Sequence, residues 1–361
     1  MGGWTGVPRN GNTNNRETEM PNDRQKSFLA STTGTLVRRQ FIASSLALVG
    51  APLLATGAVG QARPFPERPI RIVVPFAAGG GVDAFARLLA EKLRQKHGWA
   101  TVIDNRPGAN GTLGAAAVKD AEPNGLTLLF SAGTHVMARH VMKSAPYDPM
   151  ADFAPIARVG EAPMMLIMSP KMAPRTVAEL LAEAKKDPSK WTFATSALGA
   201  PGHLATIAFN HLSGLNLTVV TYRGTAPAMN DVAGGHVQLM IDPVLALLPM
   251  ASANQVKGLA VTSAQRTSLA PDFPTVAESG LPGLKHSSWY GVWGPKKLSA
   301  DLAAELNGTI NAAVQDLAKE GRLATLGIEP VSESPSQFEE FAKSYVAQGA
   351  ELLKAAKFDP V

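Results

Sequence analysis

Between Arg71 and Leu93 the pattern of apolar and polar positions changes period once. Ile72, Val73 and Val74 form a short β-branched run closed by Pro75, which predicts a buried strand. From Phe85 onward, Phe85, Leu88, Leu89 and Leu93 recur at helical spacing with Arg87, Glu91 and Arg94 opposite, which predicts an amphipathic helix. Gly79, Gly80 and Gly81 lie at the junction, where a missing Cβ permits positive φ and lets a ligand come close to the main chain. The first N–H groups of a helix have no partner within it and carry the positive end of its dipole. The junction is therefore suited to a carboxylate or a phosphate.

The strand-then-helix pattern continues down the chain. Thr101 to Ile103 reads as a strand, Asn105 to Gly111 as a loop, Thr112 to Lys119 as a helix, and Leu126 to Phe130 as the next strand, followed by a short helix and a proline-rich passage from Pro146 to Pro155. Met164 to Met168 is a further strand, and Thr176 with Glu179 caps a helix from Val177 to Lys186. A second series follows: strands at 191–195, 217–221, 237–241, 256–261 and 289–293, and helices at 203–212, 300–319 and 336–354, the last two opened by Ser299 and by Ser334 with Gln337. Strands alternating with helices predict an α/β fold with a largely parallel sheet, whose ligand crevice lies beyond the carboxyl ends of the strands.

Residues 1–62 stand apart and read as a signal peptide. They are polar to Thr35, then give Arg38, Arg39, Gln40, Phe41 and Ile42, then an apolar stretch to Val59, with small residues permitting cleavage after Ala62. The arginine pair resembles a twin-arginine export signal, a Sec signal with its basic n-region being the alternative, and by either route the expected location is the periplasm. This leader holds six basic and three acidic residues, so the net charge of +5 falls to +2 without it. No run of Lys and Arg interleaved with aromatics remains, which argues against a nucleic-acid partner. The absence of cysteine excludes disulfides, thiolate metal sites and a cysteine nucleophile. His135, His140, His203 and His211 lack metal-ligand spacing, and neither a dinucleotide fingerprint nor a phosphate-loop motif is present. No catalytic residue, metal or cofactor is expected.

Six motifs in order, VPFAAGGGVDAFAR, DNRPGANGTLGAAAV, YDPMADFAPI, YRGTAPAMNDVAGGHV, PTVAESGLPG and WYGVWGPK, resemble the extracytoplasmic solute receptors of tripartite tricarboxylate transporters, the Bug-type binding proteins, over nearly the whole chain from Pro69. The resemblance implies a type II periplasmic-binding-protein fold, two α/β lobes with a ligand cleft between them. It also implies a monomer that captures a small organic carboxylate for the membrane permease subunits of a tripartite transporter. Residues 63–165 and 255–361 are expected to form the first lobe and 166–254 the second, with crossings near 163–168 and between 242 and 261.

On this resemblance Phe76, Ala77, Ala78, Gly79, Gly80, Gly81 and Asp83 match the family's first ligand loop, with the N–H groups of 78–81 assigned to a ligand carboxylate. Asp83 reads equally as a dipole-favoured acid in a first helical turn. Thr195, Ala197, Gly199, Ala200 and His203 match the second-lobe loop, where Ala197 replaces a glycine and Ala200 a hydroxyl residue; His203 is expected to organise the loop. Ser131 and Thr134 offer hydroxyls at another strand end, and Asp242 follows an apolar strand towards the cleft. Arg223 has the chemistry to clamp a carboxylate in bidentate fashion but reads first as a solvated or ion-paired arginine, and Trp289 and Trp293 read as core. Aromatic acids, dicarboxylates and amino acids all remain open as ligands.

Overall fold

The computed structural model describes residues 65–361, so the expected leader lies outside the described residues. The chain builds β1 (Ile70–Val74), α1 (Gly81–His97), β2 (Thr101–Asn105), α2 (Thr112–Lys119), β3 (Thr127–Ala132), α3 (Thr134–Val141) and β4 (Phe153–Met168). It continues through α4 (Val177–Lys186), β5 (Thr192–Thr195), α5 (Pro201–Ser213), β6 (Thr218–Thr221), α6 (Thr225–Gly234), β7 (Leu239–Pro243), α7 (Val244–Ser252) and β8 (Lys257–Val261). It ends with β9 (Ser287–Pro295), α8 (Ala300–Lys319), β10 (Glu329–Pro330) and α9 (Pro335–Ala355).

The long strand β4 belongs to two sheets. From Phe153 to Pro163 it pairs antiparallel with β9, which joins it to β3, β1 and β2 of the first lobe; from Met164 to Met168 it pairs with β7 and β8 of the second. In each lobe the strands that precede cleft-lining loops run parallel: β1 with β2 and β3, and β5 with β6 and β7. Residues at or just beyond the carboxyl ends of β1, β3, β5, β6 and β7 (Phe76, Thr134, Ser196, Arg223 and Asp242) line one cavity, so these ends face a common cleft. The chain returns to the first lobe at Ser287, opposite Pro163. Residues 255–286, which the sequence reading gave to the first lobe, belong with the second, because β8 pairs with Met165–Met168 and Val276, Leu281 and Leu284 pack in that lobe's core. The first apolar strand after residue 254 is thus not the returning one.

Helix α1 shows why the first lobe holds its shape. Phe85 and Leu89 are fully buried against β1, β3 and α8, each contributing about 1.5–3 kcal/mol. Phe85 also meets Phe130 and Tyr290 edge-on at 5.3 and 5.4 Å. Gly98, with φ of 68°, ends the helix. Ser299 caps α8, and Ser334 with Gln337 forms a full capping box on α9, while Thr176 accepts from the Glu179 N–H as one half of such a box. Trp289 and Trp293 lie on one face of β9, buried with Phe338. Helices α6 and α7 were not anticipated, and β4 begins inside the proline-rich passage, where its register shifts after Pro155.

Candidate functional site

The strand β1 delivers the chain to Phe76, and the loop from Phe76 to Gly80 turns it into α1. Only Gly79, at φ 87°, needs the left-handed region. Gly80 is an extended N-cap; a Cβ there would meet nothing nearer than the Ala77 carbonyl at 3.9 Å, so the space beside it is open. The loop is braced from behind by Asp83. Its Oδ2 accepts from the Gly79 N–H and from Arg87 Nε, both at 2.9 Å, and its Oδ1 accepts from Asn105 Nδ2 at 2.9 Å. Asn105 also donates to the Phe76 carbonyl and accepts from Arg87. Burial pushes the Asp83 carboxyl up, but these hydrogen bonds outweigh it and hold the group below its usual range.

Opposite this loop, β5 delivers Thr195 to a turn that ends at α5. Gly199 takes φ 70°, and a Cβ there would stand 2.9 Å from Met137 of α3, so the turn is pressed against the first lobe. His203 is buried, its Nδ1 accepts from the Gly199 N–H at 3.1 Å, and its ring lies edge-on to Phe358. Burial drives its pKa down to about 4, so it is a neutral acceptor that fixes the turn. Asp242, only 3 % exposed at the end of β7, accepts from Thr225 Oγ1 at 2.5 Å and from Ser196 Oγ at 3.4 Å. Its burial raises the pKa to about 6 against the lowering by those two hydroxyls.

A cavity of about 290 Å³ lies between the two walls. Phe76, Ala77, Ala78, Gly79, Gly80, Gly81, Thr134, Ala197, Ala200 and Asp242, all singled out in the sequence, line it together. Five others do not. Asp83 has both oxygens engaged by protein donors, so it supports the loop and does not face the cavity. The Ser131 hydroxyl is buried and donates to the Ala132 carbonyl at 3.2 Å, Thr195 is fully buried with its hydroxyl turned to Ala197, and Gly199 and His203 stand behind the turn. Sequence reasoning missed Ser196, Thr225, Leu245, Ser288 and Tyr290 on the cavity wall. Tyr290 was accessible in principle: if Trp289 and Trp293 share the core face of a strand, period-two alternation turns Tyr290 to the other. A second space of about 690 Å³ adjoins the first, sharing Phe76, Ala77, Ser196, Ala197, Arg223 and Gly224. Asn110 closes its far side by donating across the cleft to the Leu198 carbonyl at 2.8 Å.

Two α/β lobes joined through a shared strand, with glycine-bearing loops at facing strand ends, define a periplasmic binding protein of type II fold. The sequence comparisons place it further. Residues 85–358 match the profile of the tripartite tricarboxylate transporter family receptor, and the chain belongs to that family. It is 33% identical over 313 residues to protein BugT of Bordetella pertussis, covering 86% of this chain and 96% of that one. Among solved structures it is similar to the periplasmic binding protein BugD, at 36% identity and a TM-score of 0.77, across 82% of this chain and all of that one. A protein of R. palustris solved with adipate is similar at 34% identity and a TM-score of 0.79, over 82% of this chain and 100% of its own. This is a family of solute-binding receptors, not of enzymes.

Proposed function

We propose that this chain is a periplasmic receptor that captures a small organic carboxylate in the cleft and presents it, as a monomer, to the membrane permease subunits of a tripartite transporter. The observation that carries the reading is the junction of Gly79–Gly81 with α1 at the cavity wall. There the N–H groups of Gly81 and Val82 have no partner inside the helix, and the open space beside Gly80 lets an anion reach them. Gly79 spends its own N–H on Asp83, so the donors left to a ligand on this wall are the N–H groups of Ala78, Gly80, Gly81 and Val82. The adipate bound by the R. palustris relative supports a carboxylate as the ligand class. Export through the leader at 1–62 fits the periplasmic location of that family.

A thermal-shift screen of residues 63–361 against mono-, di- and tricarboxylates, aromatic acids, amino acids, sugars and nucleotides tests the proposal. Free ligand at 100 times Kd adds about 2.7 kcal/mol, which raises the midpoint of a protein this size by roughly 5 °C. A response confined to carboxylates is expected. A response to phosphate compounds with silence on carboxylates would overturn it.

A further inference from the structure

Among the described residues Arg223 is the one basic side chain lining either cavity, and it stands in the wall that the two share. Its guanidinium has no ion pair and no hydrogen bond to another described residue. A surface arginine with those properties is ordinarily just solvated. Here the backbone that carries it is held in place, while the side chain is exposed. The Tyr222 N–H donates to the Thr195 carbonyl at 2.8 Å and the Gly224 N–H to the Ser196 carbonyl at 2.9 Å, so both neighbours of Arg223 are pinned to the second-lobe turn. Gly224 takes φ 119°, which keeps the chain tight as it enters α6, and the Tyr222 hydroxyl donates to Asp231 at 2.6 Å. The backbone therefore delivers Arg223 to the junction between the chambers.

The charges around it favour an anion from outside the protein. Asp242 is the one acid lining the smaller cavity among the described residues, and its two oxygens are turned to Thr225 and Ser196 instead of to the guanidinium. No acid lines the larger space among the described residues. Two separate elements of positive character thus face the cleft: the N-terminal end of α1 on the first lobe and Arg223 on the second. The room between and beyond them persists although Asn110 already bridges the lobes to Leu198. We propose that Arg223 is a specificity-determining residue that receives a second anionic group of the ligand, so that the receptor selects elongated dianions over monoanions of the same length. The inference rests on the carboxylate reading above and adds the residue that sets ligand charge.

The test compares calorimetric Kd values of wild type, Arg223→Gln and Arg223→Lys for straight-chain dicarboxylates of four to eight carbons and the matching monocarboxylates, at low and high salt. Wild type is expected to prefer the best dicarboxylate over its monocarboxylate by at least tenfold, in keeping with a charge-assisted pair. Arg223→Gln should abolish that ratio and its salt dependence, leaving monocarboxylate affinity and the melting point of the free protein unchanged, and Arg223→Lys should restore part of it. An undiminished ratio in Arg223→Gln, or no ratio in wild type, overturns the role of Arg223 while leaving the carboxylate reading intact. If no carboxylate of either kind binds wild type, that reading fails and this inference falls with it.

Discussion

Removing the brace behind the anion loop tests how the first lobe prepares its site. Asp83→Ala deletes three hydrogen bonds to a carboxylate that is 3 % exposed. Hydrogen bonds to a charged group contribute roughly 1.5–3 kcal/mol each, but the three losses do not add in full. The Arg87 side chain is 52 % exposed and finds water, Asn105 keeps its bond to the Phe76 carbonyl at 3.1 Å, and the exposed loop lets solvent reach the Gly79 N–H. About 2–3 kcal/mol remains once solvent has replaced what it can reach, which lowers the melting point by roughly 4–6 °C. The loss depends on pH in a defined direction. Because the folded-state pKa of Asp83 lies below 3.8, its stabilisation is present above that pH and disappears as the pH falls through the folded value. Scanning calorimetry of both proteins from pH 7 downward should show a constant gap between their midpoints that starts to narrow only as the pH falls below 3.8. Carboxylate affinity should fall at least about tenfold at neutral pH, since Gly79 loses the tether that holds its positive φ and a loosened donor array costs binding energy. A variant with wild-type melting and wild-type affinity would refute the argument that Asp83 organises the loop.

Two further outcomes follow from the second lobe. Gly202→Ala places a Cβ against the Ile241 carbonyl and 2.8 Å from Asp242 Oδ1, neither of which can swing away, so urea denaturation should show a loss of about 3 kcal/mol or more, with binding impaired; full stability would mean that α5 and β7 are not packed as described. For Asp242 the sign is opposite to that of Asp83. A carboxyl whose folded-state pKa is raised to about 6 is penalised when ionised, so its burial costs stability as pH rises from about 4 through 6. Asp242→Asn should therefore gain stability relative to wild type between pH 4 and pH 7, and a pH-independent difference measured by denaturant titration would count against a buried, proton-accepting Asp242.

Much of this architecture is legible in the sequence because local signals and tertiary packing agree. Helices α4 and α8 begin where their capping residues Thr176 and Ser299 place them and end where the apolar spacing does. Helices α6 and α7 are not legible for a physical reason: Pro227 and Pro249 lie within them, and their apolar residues are too evenly spread to mark a face. The return crossing was misplaced because β8 and β9 look alike as apolar runs, and only pairing with β4 tells which lobe each joins. In the site, the glycine loop announces itself, since a strand, three glycines and a helix allow few arrangements. Whether Asp83 faces ligand or protein is a matter of side-chain direction one turn into the helix, and the partners that decide it, Arg87 and Asn105, are in one case next door and in the other 22 residues away.

The two walls of the cleft differ in how their polar capacity is used, and that difference assigns them separate tasks. On the first lobe the buried acid is turned inward to brace the main chain, which leaves N–H groups facing the cavity. On the second lobe the hydroxyls of Ser196 and Thr225 are spent on Asp242, and Ala197 and Ala200 bring no polar side chain to the wall. Backbone donors recognise any carboxylate, because they read only charge and a small radius. The polar reach left to the second wall is Arg223, which lines both chambers and, on the proposal above, reads a second group at a distance from the first. On this reading a lesion in the glycine loop weakens all carboxylates alike, whereas a lesion at Arg223 changes the ranking among them. A receptor divided in this way can change its ligand by changing one lobe, without disturbing the anion site on the other.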